Sequence, residues 1–355
     1  MKHLSYGLVS TFGLLVTASP FSRYRVNNRD VTVTDAEVDS LSFFAQYAGA
    51  SYCNSNVSVG SVVTCAEDVC PDVNAAGAKV LATFSGSITD VQGFVSSDDT
   101  NQLIVASIKG SESIRNWIAD LSFIRVDCDL VDDCGVHAGF QTAYDEIADE
   151  LLAAVKDAQA ANPTYRIVFT GHSLGGAVST VAAAHARSSS GGEGLAVDLY
   201  TYGSPRVGNA EFADFVTDQA GAEYRVTHLD DPVPRLPPIV VGYAHTSPEY
   251  WLSDGDANTT AYAAADIQVC EGDENTDCNG GTDGLDTDAH VFYFVHISAC
   301  GQDGLSFRRR RRAEGNVDVN VTKDMATKEP EDISDEDLLA KINDWASQDR
   351  EHSRQ

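Results

Sequence analysis

Two kinds of hydrophobic pattern alternate along this chain. Short runs rich in β-branched and aromatic residues predict buried strands, and the segments between them place apolar residues at three- and four-residue steps, as amphipathic helices do. Strands are predicted for 79–84, 103–108, 165–170, 197–202 and 223–229, and the clearest helices for 35–52 and 140–161. Strands that alternate with helices in this way predict an α/β fold whose central sheet is mostly parallel and covered by helices on both faces.

The junction after the third predicted strand carries the pentapeptide Gly171-His172-Ser173-Leu174-Gly175. A small, alanine-rich segment follows it and suits a helix packed close against a sheet. A Gly-x-Ser-x-Gly sequence between a strand and a helix is typical of a nucleophile elbow, in which the glycines tolerate the strained turn and leave room for close packing. This context favours Ser173 as a nucleophile over a structural glycine turn.

A serine hydroxyl needs a base that takes its proton and an acid that orients the base. In α/β-hydrolases the acid and then the histidine follow the nucleophile along the chain. Asp230 and Asp231 come directly after the strand predicted for 223–229, at the carboxyl end where the sites of open α/β sheets assemble. Spacing alone leaves three histidines as candidates for the base: His245, His290 and His296.

The N-terminal residues have the pattern of a targeting segment. Lys2 and His3 precede an apolar run over 4–16, and small residues follow around Ala18. This pattern predicts a secretory signal peptide over 1–18, and the polar residues 19–30 suit a short pro-segment. The apolar run is too short for a membrane anchor and no second long one follows, so we expect a secreted, extracellular protein with no integral membrane segment.

Eight cysteines in an exported chain imply disulfides, and the absence of Cys-x-x-Cys pairs or Cys/His clusters argues against a zinc site. Close spacing predicts the pairs Cys65–Cys70, Cys128–Cys134 and Cys270–Cys278, which leaves Cys53 and Cys300 to join the two ends of the domain. Three Asn-x-Ser/Thr sequons are glycosylation acceptors in such a compartment, at Asn56, Asn258 and Asn320.

The formal net charge is −29, from 24 basic and 53 acidic residues. Such a surface repels nucleic acid and anionic headgroups, so we expect no nucleic-acid partner and a neutral or apolar substrate. The acid-rich stretch 271–288 resembles a calcium loop only loosely, because Cys278 stands where the EF-hand pattern requires glycine. We therefore expect no metal there, and we further expect no cofactor and a monomeric protein.

The character of the chain changes after Cys300. Five consecutive arginines occupy 308–312, and an acidic stretch with few apolar residues follows. This composition predicts a disordered tail over 301–355, with the basic run as a candidate site of trimming. One short helix is predicted within the tail at 334–345, because Ser334-x-x-Asp337 resembles a capping box.

Four segments resemble the secreted fungal class 3 lipases, which include triacylglycerol lipases and mono- and diacylglycerol lipases of filamentous fungi. They are TGHSLGG at 170–176, YGSPRVGN at 202–209, DPVPRLPP at 231–238 and SPEYW at 247–251. The resemblance runs in order from about Phe43 to Cys300 and implies an α/β-hydrolase domain over 31–300. It implies Ser173 as nucleophile, Asp231 as triad acid and His290 as base, with His245 as a pocket-wall residue.

The same resemblance bears on the oxyanion hole and on a lid. The amide of Leu174, directly after the nucleophile, is one oxyanion donor on geometric grounds, and Ser111 resembles the second donor of the family. Lys109 departs from the family, which more often has arginine there. The segment 113–121 has one apolar face and corresponds to the family's helical lid, although a core helix would show the same pattern. That face consists of Ile114, Trp117, Ile118 and Leu121.

These features predict a secreted serine lipase that hydrolyses acylglycerol esters at a lipid–water interface through an acyl-enzyme on Ser173. The sequence Asp-Pro-Val-Pro at 231–234 and the stretch 304–308 resemble the subgroup that prefers mono- and diacylglycerols. A soluble esterase or feruloyl esterase of the same fold is an alternative, although related feruloyl esterases carry a polar segment in place of the lid. A non-catalytic surface-binding protein is a third, which the intact set of Ser173, Asp231 and His290 argues against.

Overall fold

The computed structural model describes residues 32–66, 68–111, 122–188, 194–283, 286–301 and 334–354. The signal peptide predicted for 1–18, the pro-segment predicted for 19–30 and the arginine run at 308–312 lie outside these residues. The predicted lid residues also lie outside them, namely Ile114, Trp117, Ile118 and Leu121.

Twelve strands are found in the described part of the chain, and eight of them form one sheet. In chain order they are β1 (Lys79–Ser85), β2 (Gln92–Asp98), β3 (Leu103–Ile108), β4 (Arg125–Asp127), β5 (Gly135–His137), β6 (Arg166–His172), β7 (Val197–Tyr202), β8 (Glu223–His228), β9 (Glu249–Leu252), β10 (Ile267–Cys270), β11 (Phe292–Tyr293) and β12 (Val295–His296). The spatial order of the large sheet is β1-β2-β3-β6-β7-β8-β9-β10. The run from β3 to β9 is parallel and the flanking pairs are antiparallel, which confirms the mostly parallel sheet.

Helices cover both faces of this sheet. They are α1 (Asp35–Asn54), α2 (Pro71–Ala76), α3 (Ala138–Ala161), α4 (Leu174–Arg187), α5 (Ala210–Asp218) and α6 (Asp335–His352). Helix α1 begins at a capping box between Thr34 and Glu37 and buries its apolar side in one core cluster, while α3 and α4 contribute to the cluster on the opposite face. The helices predicted for 35–52 and 140–161 are therefore confirmed.

All five predicted strands are present, whereas β2, β9 and β10 were not predicted. Strand β2 ends in Ser96, Ser97 and Asp98, a polar run that alternation does not mark as buried. The structure buries Asp98 because its carboxylate accepts hydrogen bonds from the Tyr47 hydroxyl at 3.0 Å and from the backbone and side chain of Asn101 at 2.9 and 2.7 Å. Satisfied polar groups can be buried at low cost, and such partners are far away in sequence.

The cysteines form the four predicted disulfides, Cys53–Cys300, Cys65–Cys70, Cys128–Cys134 and Cys270–Cys278. Cys53–Cys300 closes a sequence separation of 247 residues and ties α1 to the chain that follows β12. Cys270–Cys278 closes the acid-rich stretch against β10. Within the described ranges, no helix is both long and apolar enough to cross a membrane.

The expectation of a disordered tail over 301–355 does not hold for its last part. Ser334 caps a helix that extends beyond the predicted 334–345 and ends at His352. Its apolar residues are few, but Leu338, Ile342 and Ala346 follow one another at steps of four and are buried against the domain. Average composition hides such a stripe, which is why the tail reads as disordered. Asp349 on the same helix forms a buried ion pair with Arg206 at 3.1 Å.

Candidate active site

Ser173 lies in the turn between β6 and α4 with φ 57° and ψ −128°. A non-glycine residue in the left-handed region carries a strain of about 1–3 kcal/mol, and its surroundings must hold it there. The Ser173 N–H donates to the carbonyl oxygen of Tyr202 at 2.8 Å. A Cβ at Gly171 would clash with the backbone of Gly175, and a Cβ at Gly175 would clash with the carbonyl oxygen of Ile108. The pentapeptide therefore forms the tight elbow that its glycines predict.

The two predicted oxyanion donors come from the elements on either side of this elbow. Leu174 is the first residue of α4, so its N–H has no acceptor within the helix and lies at the positive end of the helix dipole. Ile108 at the end of β3 pairs with Gly171 in parallel register. A Cβ at Gly110 would lie 2.7 Å from the His172 carbonyl oxygen and 3.3 Å from the Ser173 Cβ. Ser111 is the next residue, so the chain brings it to the edge of the elbow.

Asp231 and His290 meet although they are 59 residues apart. The His290 Nδ1 atom lies 2.9 and 2.8 Å from the two carboxylate oxygens of Asp231, and both side chains are buried. The same carboxylate accepts hydrogen bonds from the Val233 N–H at 2.9 Å and from the Tyr293 hydroxyl at 2.5 Å. Because a carboxylate only accepts, Nδ1 of a neutral His290 carries the proton and Nε2 presents a lone pair. That is the tautomer a general base requires.

The Ser173 Oγ and His290 Nε2 atoms are both buried, and neither has a hydrogen-bond partner among the described residues. These are the two atoms that general-base catalysis must connect, and such contacts often tighten only when substrate binds. Gly203 leaves room for the acid–base pair: at its φ of 56°, a Cβ would lie 2.9 Å from an Asp231 carboxylate oxygen and 3.0 Å from the His290 ring. The roles of Gly203 and Tyr293 were not predicted from the sequence. Gly203 lies within the segment YGSPRVGN that resembles the lipases, and Tyr293 lies within a run of aromatic residues.

The structure separates the three histidines that spacing could not. Only His290 contacts the carboxylate of Asp231. His245 is buried elsewhere: its Nε2 lies 2.7 Å from the Pro234 carbonyl oxygen, and burial, together with nearby Arg225 and Arg206, holds its pKa well below the ordinary value. Through this hydrogen bond to Pro234, His245 supports the turn that follows Asp231. The His296 ring stacks on the Phe292 ring, with 4.6 Å between the ring centroids.

Comparisons with known proteins agree with this geometry. Residues 105–241 match the model of the family described as lipase (class 3). The chain is 46% identical over 330 residues to secreted mono- and diacylglycerol lipase 1 of Fusarium solani, covering 93% of this chain and 91% of the relative. It is 41% identical over 293 residues to secreted mono- and diacylglycerol lipase A of Penicillium cyclopium, covering 80% and 93%.

Solved structures show the same likeness. The crystal structure of the mono- and diacylglycerol lipase from Aspergillus oryzae matches with a TM-score of 0.70 and 41% sequence identity, over 76% of this chain and 99% of that one. The lipase from Rhizopus microsporus var. chinensis matches with a TM-score of 0.67 at 31% identity, over 76% and 91%. Fold, elbow and near-complete coverage of these relatives lead to one assignment: the chain belongs to the class 3 lipases, ester hydrolases of the α/β-hydrolase fold.

Proposed function

We propose that Ser173, His290 and Asp231 form the catalytic triad with which this lipase hydrolyses acylglycerol esters. The observation that carries the proposal is the pairing of two features at one place. A strained, buried serine presents a hydroxyl with no partner among the described residues, and a buried carboxylate fixes Nδ1 of His290. This division of roles is the one that a serine hydrolase needs.

In this proposal each side chain has one step. Nε2 of His290 accepts the Ser173 proton while Oγ attacks the ester carbonyl, and Nδ1–H stays hydrogen-bonded to Asp231. The imidazolium then gives that proton to the departing glycerol oxygen, which leaves an acyl-enzyme. In the second half, the imidazole takes a proton from water, which attacks the acyl group, and returns the proton to Ser173. No cofactor enters this sequence.

The negative charge that develops on the carbonyl oxygen requires donors at the elbow. We assign this role to the N–H of Leu174 and to Ser111. The assignment is supported by the position of Leu174 at the start of α4 and by Gly110, the residue before Ser111, which lies beside Ser173. Removal of one such donor typically costs about 2.7–4 kcal/mol of transition-state stabilisation. An anion at this position also gains from the positive end of the α4 dipole.

The lid stays a prediction from sequence. We propose that Ile114, Trp117, Ile118 and Leu121 form its apolar face and close over Ser173 in water. Opening exposes that face at a cost of about 25 cal/mol per Å², which is recovered only where lipid receives it. Activity should therefore rise when substrate passes from solution into an emulsion.

Mono- and diacylglycerols are the preferred substrates in this proposal. The relatives from Fusarium solani and Penicillium cyclopium, at 46% and 41% identity, are called mono- and diacylglycerol lipases. The Rhizomucor miehei protein, at 36% identity, is called simply a lipase. The formal charge of −29 favours these neutral substrates over phospholipids.

We also propose that the enzyme is secreted and acts as a monomer. The relatives are named as secreted, and four disulfides suit an oxidising compartment. One chain supplies the whole proposed triad.

A substrate panel tests these points together. Emulsions of tri-, di- and monoacylglycerol, a phospholipid and dissolved methyl ferulate are compared for the wild type and Ser173→Ala. We expect the fastest release of fatty acid from di- and monoacylglycerol, a rise in rate above the solubility limit, and covalent labelling of Ser173 by a phosphonate ester. Faster triacylglycerol hydrolysis would overturn the substrate preference. A folded wild type that the phosphonate does not label would overturn the triad.

A further inference from the structure

The backbone on both sides of His290 is held by buried imidazoles. The His172 Nε2 atom lies 2.8 Å from the carbonyl oxygen of His290, and the His228 Nδ1 atom lies 2.9 Å from the carbonyl oxygen of Ala289. These two carbonyls belong to the peptide planes before and after the His290 Cα. Because rotation of those planes sets the φ and ψ of His290, fixing both planes fixes the direction of its Cα–Cβ bond, while the Asp231 carboxylate holds the ring.

Each of these rings is oriented by a tyrosine. A carbonyl oxygen only accepts hydrogen bonds, so in each ring the nitrogen that faces the Ala289 or His290 carbonyl carries the proton. The other nitrogen of a neutral ring must then accept a hydrogen bond. The Tyr52 hydroxyl lies 2.8 Å from His172 Nδ1, and the Tyr262 hydroxyl lies 2.9 Å from His228 Nε2. Each hydroxyl can therefore donate to the nitrogen that faces away from the loop.

Burial keeps both rings in this neutral form. It holds the pKa of His172 well below the ordinary value and lowers the pKa of His228, although the hydrogen bond to Ala289 opposes the second effect. The Tyr262 oxygen also lies 3.1 Å from the carbonyl oxygen of Thr259, a second acceptor for its single proton. When His228 is neutral, its Nδ1–H donates to Ala289 and its Nε2 can only accept. The Tyr262 hydroxyl proton is therefore directed at Nε2 of His228.

The two histidines differ in origin. His172 belongs to the elbow itself, beside Ser173. His228 is the last residue of β8, three residues before Asp231, and its tyrosine comes from the segment before β10. The end of β8 therefore makes two contacts with the segment that carries His290. The Asp231 carboxylate binds the His290 ring, and the His228 ring binds the backbone carbonyl of the preceding residue, Ala289. His290 itself lies in a turn, without the ladder of hydrogen bonds that fixes a strand or helix.

We propose that His228, oriented by Tyr262, is a positioning residue for ester hydrolysis: its Nδ1–H fixes the peptide plane before His290 and keeps Nε2 directed at the Ser173 hydroxyl. The proposal rests on the triad assigned above. Among the described residues, His228 makes no hydrogen bond to the Ser173 hydroxyl or to the His290 ring, so its loss should lower kcat rather than raise KM. Misplacement of a catalytic group by about 1 Å can cost about 100-fold in rate.

The test compares two replacements of His228. His228→Leu removes the donor at similar size, and we expect kcat to fall by about 10- to 100-fold with KM changed less than about twofold. His228→Asn keeps an N–H near the position of Nδ1, and we expect it to recover most of kcat. A purely structural role would not give this recovery, because leucine fills the buried site at least as well as asparagine.

Tyr262→Phe provides a second, milder variant, for which we expect a several-fold lower kcat at an unchanged thermal midpoint. Its matched control is Tyr165→Phe, which removes a hydroxyl that donates to Asp99 far from the site and should leave kcat unchanged. If His228→Leu does not fold, Tyr262→Phe and His228→Asn still decide the outcome.

Wild-type kcat in folded His228→Leu, or in Tyr262→Phe when His228→Leu does not fold, would overturn the proposal. Equal losses in the leucine and asparagine variants would overturn it as well. Failure of the triad itself gives a different result, since Ser173→Ala would then retain activity and the phosphonate would not label Ser173.

Discussion

The proposed nucleophile and the proposed acid–base pair are held in place by different means. Ser173 is fixed by backbone: a strand enters the elbow, a helix leaves it, and two glycines allow the close approach. Asp231 and His290 lie on irregular segments after β8 and before β11, where hydrogen bonds come from the side chains of His172, His228 and Tyr293 and from the nearby Val233 N–H. The motif that forms the first arrangement is local in sequence, although it packs against Ile108 and Tyr202, whereas the second arrangement depends on side chains scattered along the chain.

The loop that carries Asp231 shows the second arrangement most clearly. Arg206 donates to the carbonyl oxygens of Arg235 and Pro237 at 2.7 and 2.8 Å, and the Asn279 amide donates to the carbonyl oxygens of Leu229 and Asp231, both at 3.0 Å. Arg206 is buried, and Asp349 from α6 pairs with it. Helix α6 thus takes part in holding the segment that carries Asp231, the proposed acid of the triad.

The largest expected effect breaks the backbone arrangement. Gly175→Ala places a Cβ against the carbonyl oxygen of Ile108, in the strand next to the elbow. Neither backbone can move without displacing Ser173, so we expect activity to fall by more than about 100-fold. The control is Gly135→Ala, whose Cβ would have its nearest neighbour at 3.4 Å, in ordinary contact. Phosphonate labelling of Ser173 and the thermal midpoint measure the outcome, and a fully active Gly175→Ala would contradict this account.

The next effect removes a support of the side-chain arrangement. Asp349→Ala leaves the Arg206 guanidinium buried without its counter-charge, and we expect the free energy of unfolding to fall by about 3–5 kcal/mol. Arg350→Ala is the matched control on the same helix, since its partner Asp283 is 85% exposed and such pairs contribute about 0–1 kcal/mol. Denaturant unfolding measures both. Equal losses for the two variants would show that helix docking as a whole, and not the buried pair, matters.

A smaller effect is confined to the acid. Tyr293→Phe removes the hydroxyl that donates to Asp231. A hydrogen bond to a charged group contributes about 1.5–3 kcal/mol, so kcat should fall by at least about tenfold if that contribution acts in the transition state. Tyr202→Phe is the control, because its buried hydroxyl donates to the Leu41 carbonyl oxygen in α1. We expect that variant to lose stability and keep its kcat, and the reverse pattern would refute the role of Tyr293.

The same division explains which features the sequence could predict. The elbow, four of the five parallel strands and the local disulfides depend on neighbouring residues and were predicted, whereas the parallel strand β9 was not. Spacing did not choose among His245, His290 and His296, because the choice depends on which ring meets Asp231 in space. Tyr293 was ambiguous within its aromatic run, and Asp349 lay in a segment whose average composition indicated disorder. In each case the missing information was a contact between residues far apart in the chain.

The smallest effect is a dependence of stability on pH, to which the side-chain arrangement contributes three buried histidines. His172, His228 and His245 donate to backbone near His290 and Asp231, and burial lowers the pKa of all three. Below about pH 6.5, the ordinary histidine pKa, the unfolded chain binds these protons and the folded chain resists them. Their contribution to stability is therefore complete above that pH and is lost as the pH falls toward the lower folded values.

Each such group contributes a slope of at most about 1.4 kcal/mol per pH unit within this window. His228→Asn removes one of the three groups, so its free energy of unfolding should fall less steeply between pH 6.5 and 5 than that of the wild type. The control variant is His352→Asn, at a ring that is 48% exposed near the end of α6. Denaturant unfolding at several pH values distinguishes the two variants. Parallel curves for His228→Asn and the wild type would mean that the hydrogen bond to Ala289 does not depend on a buried neutral ring.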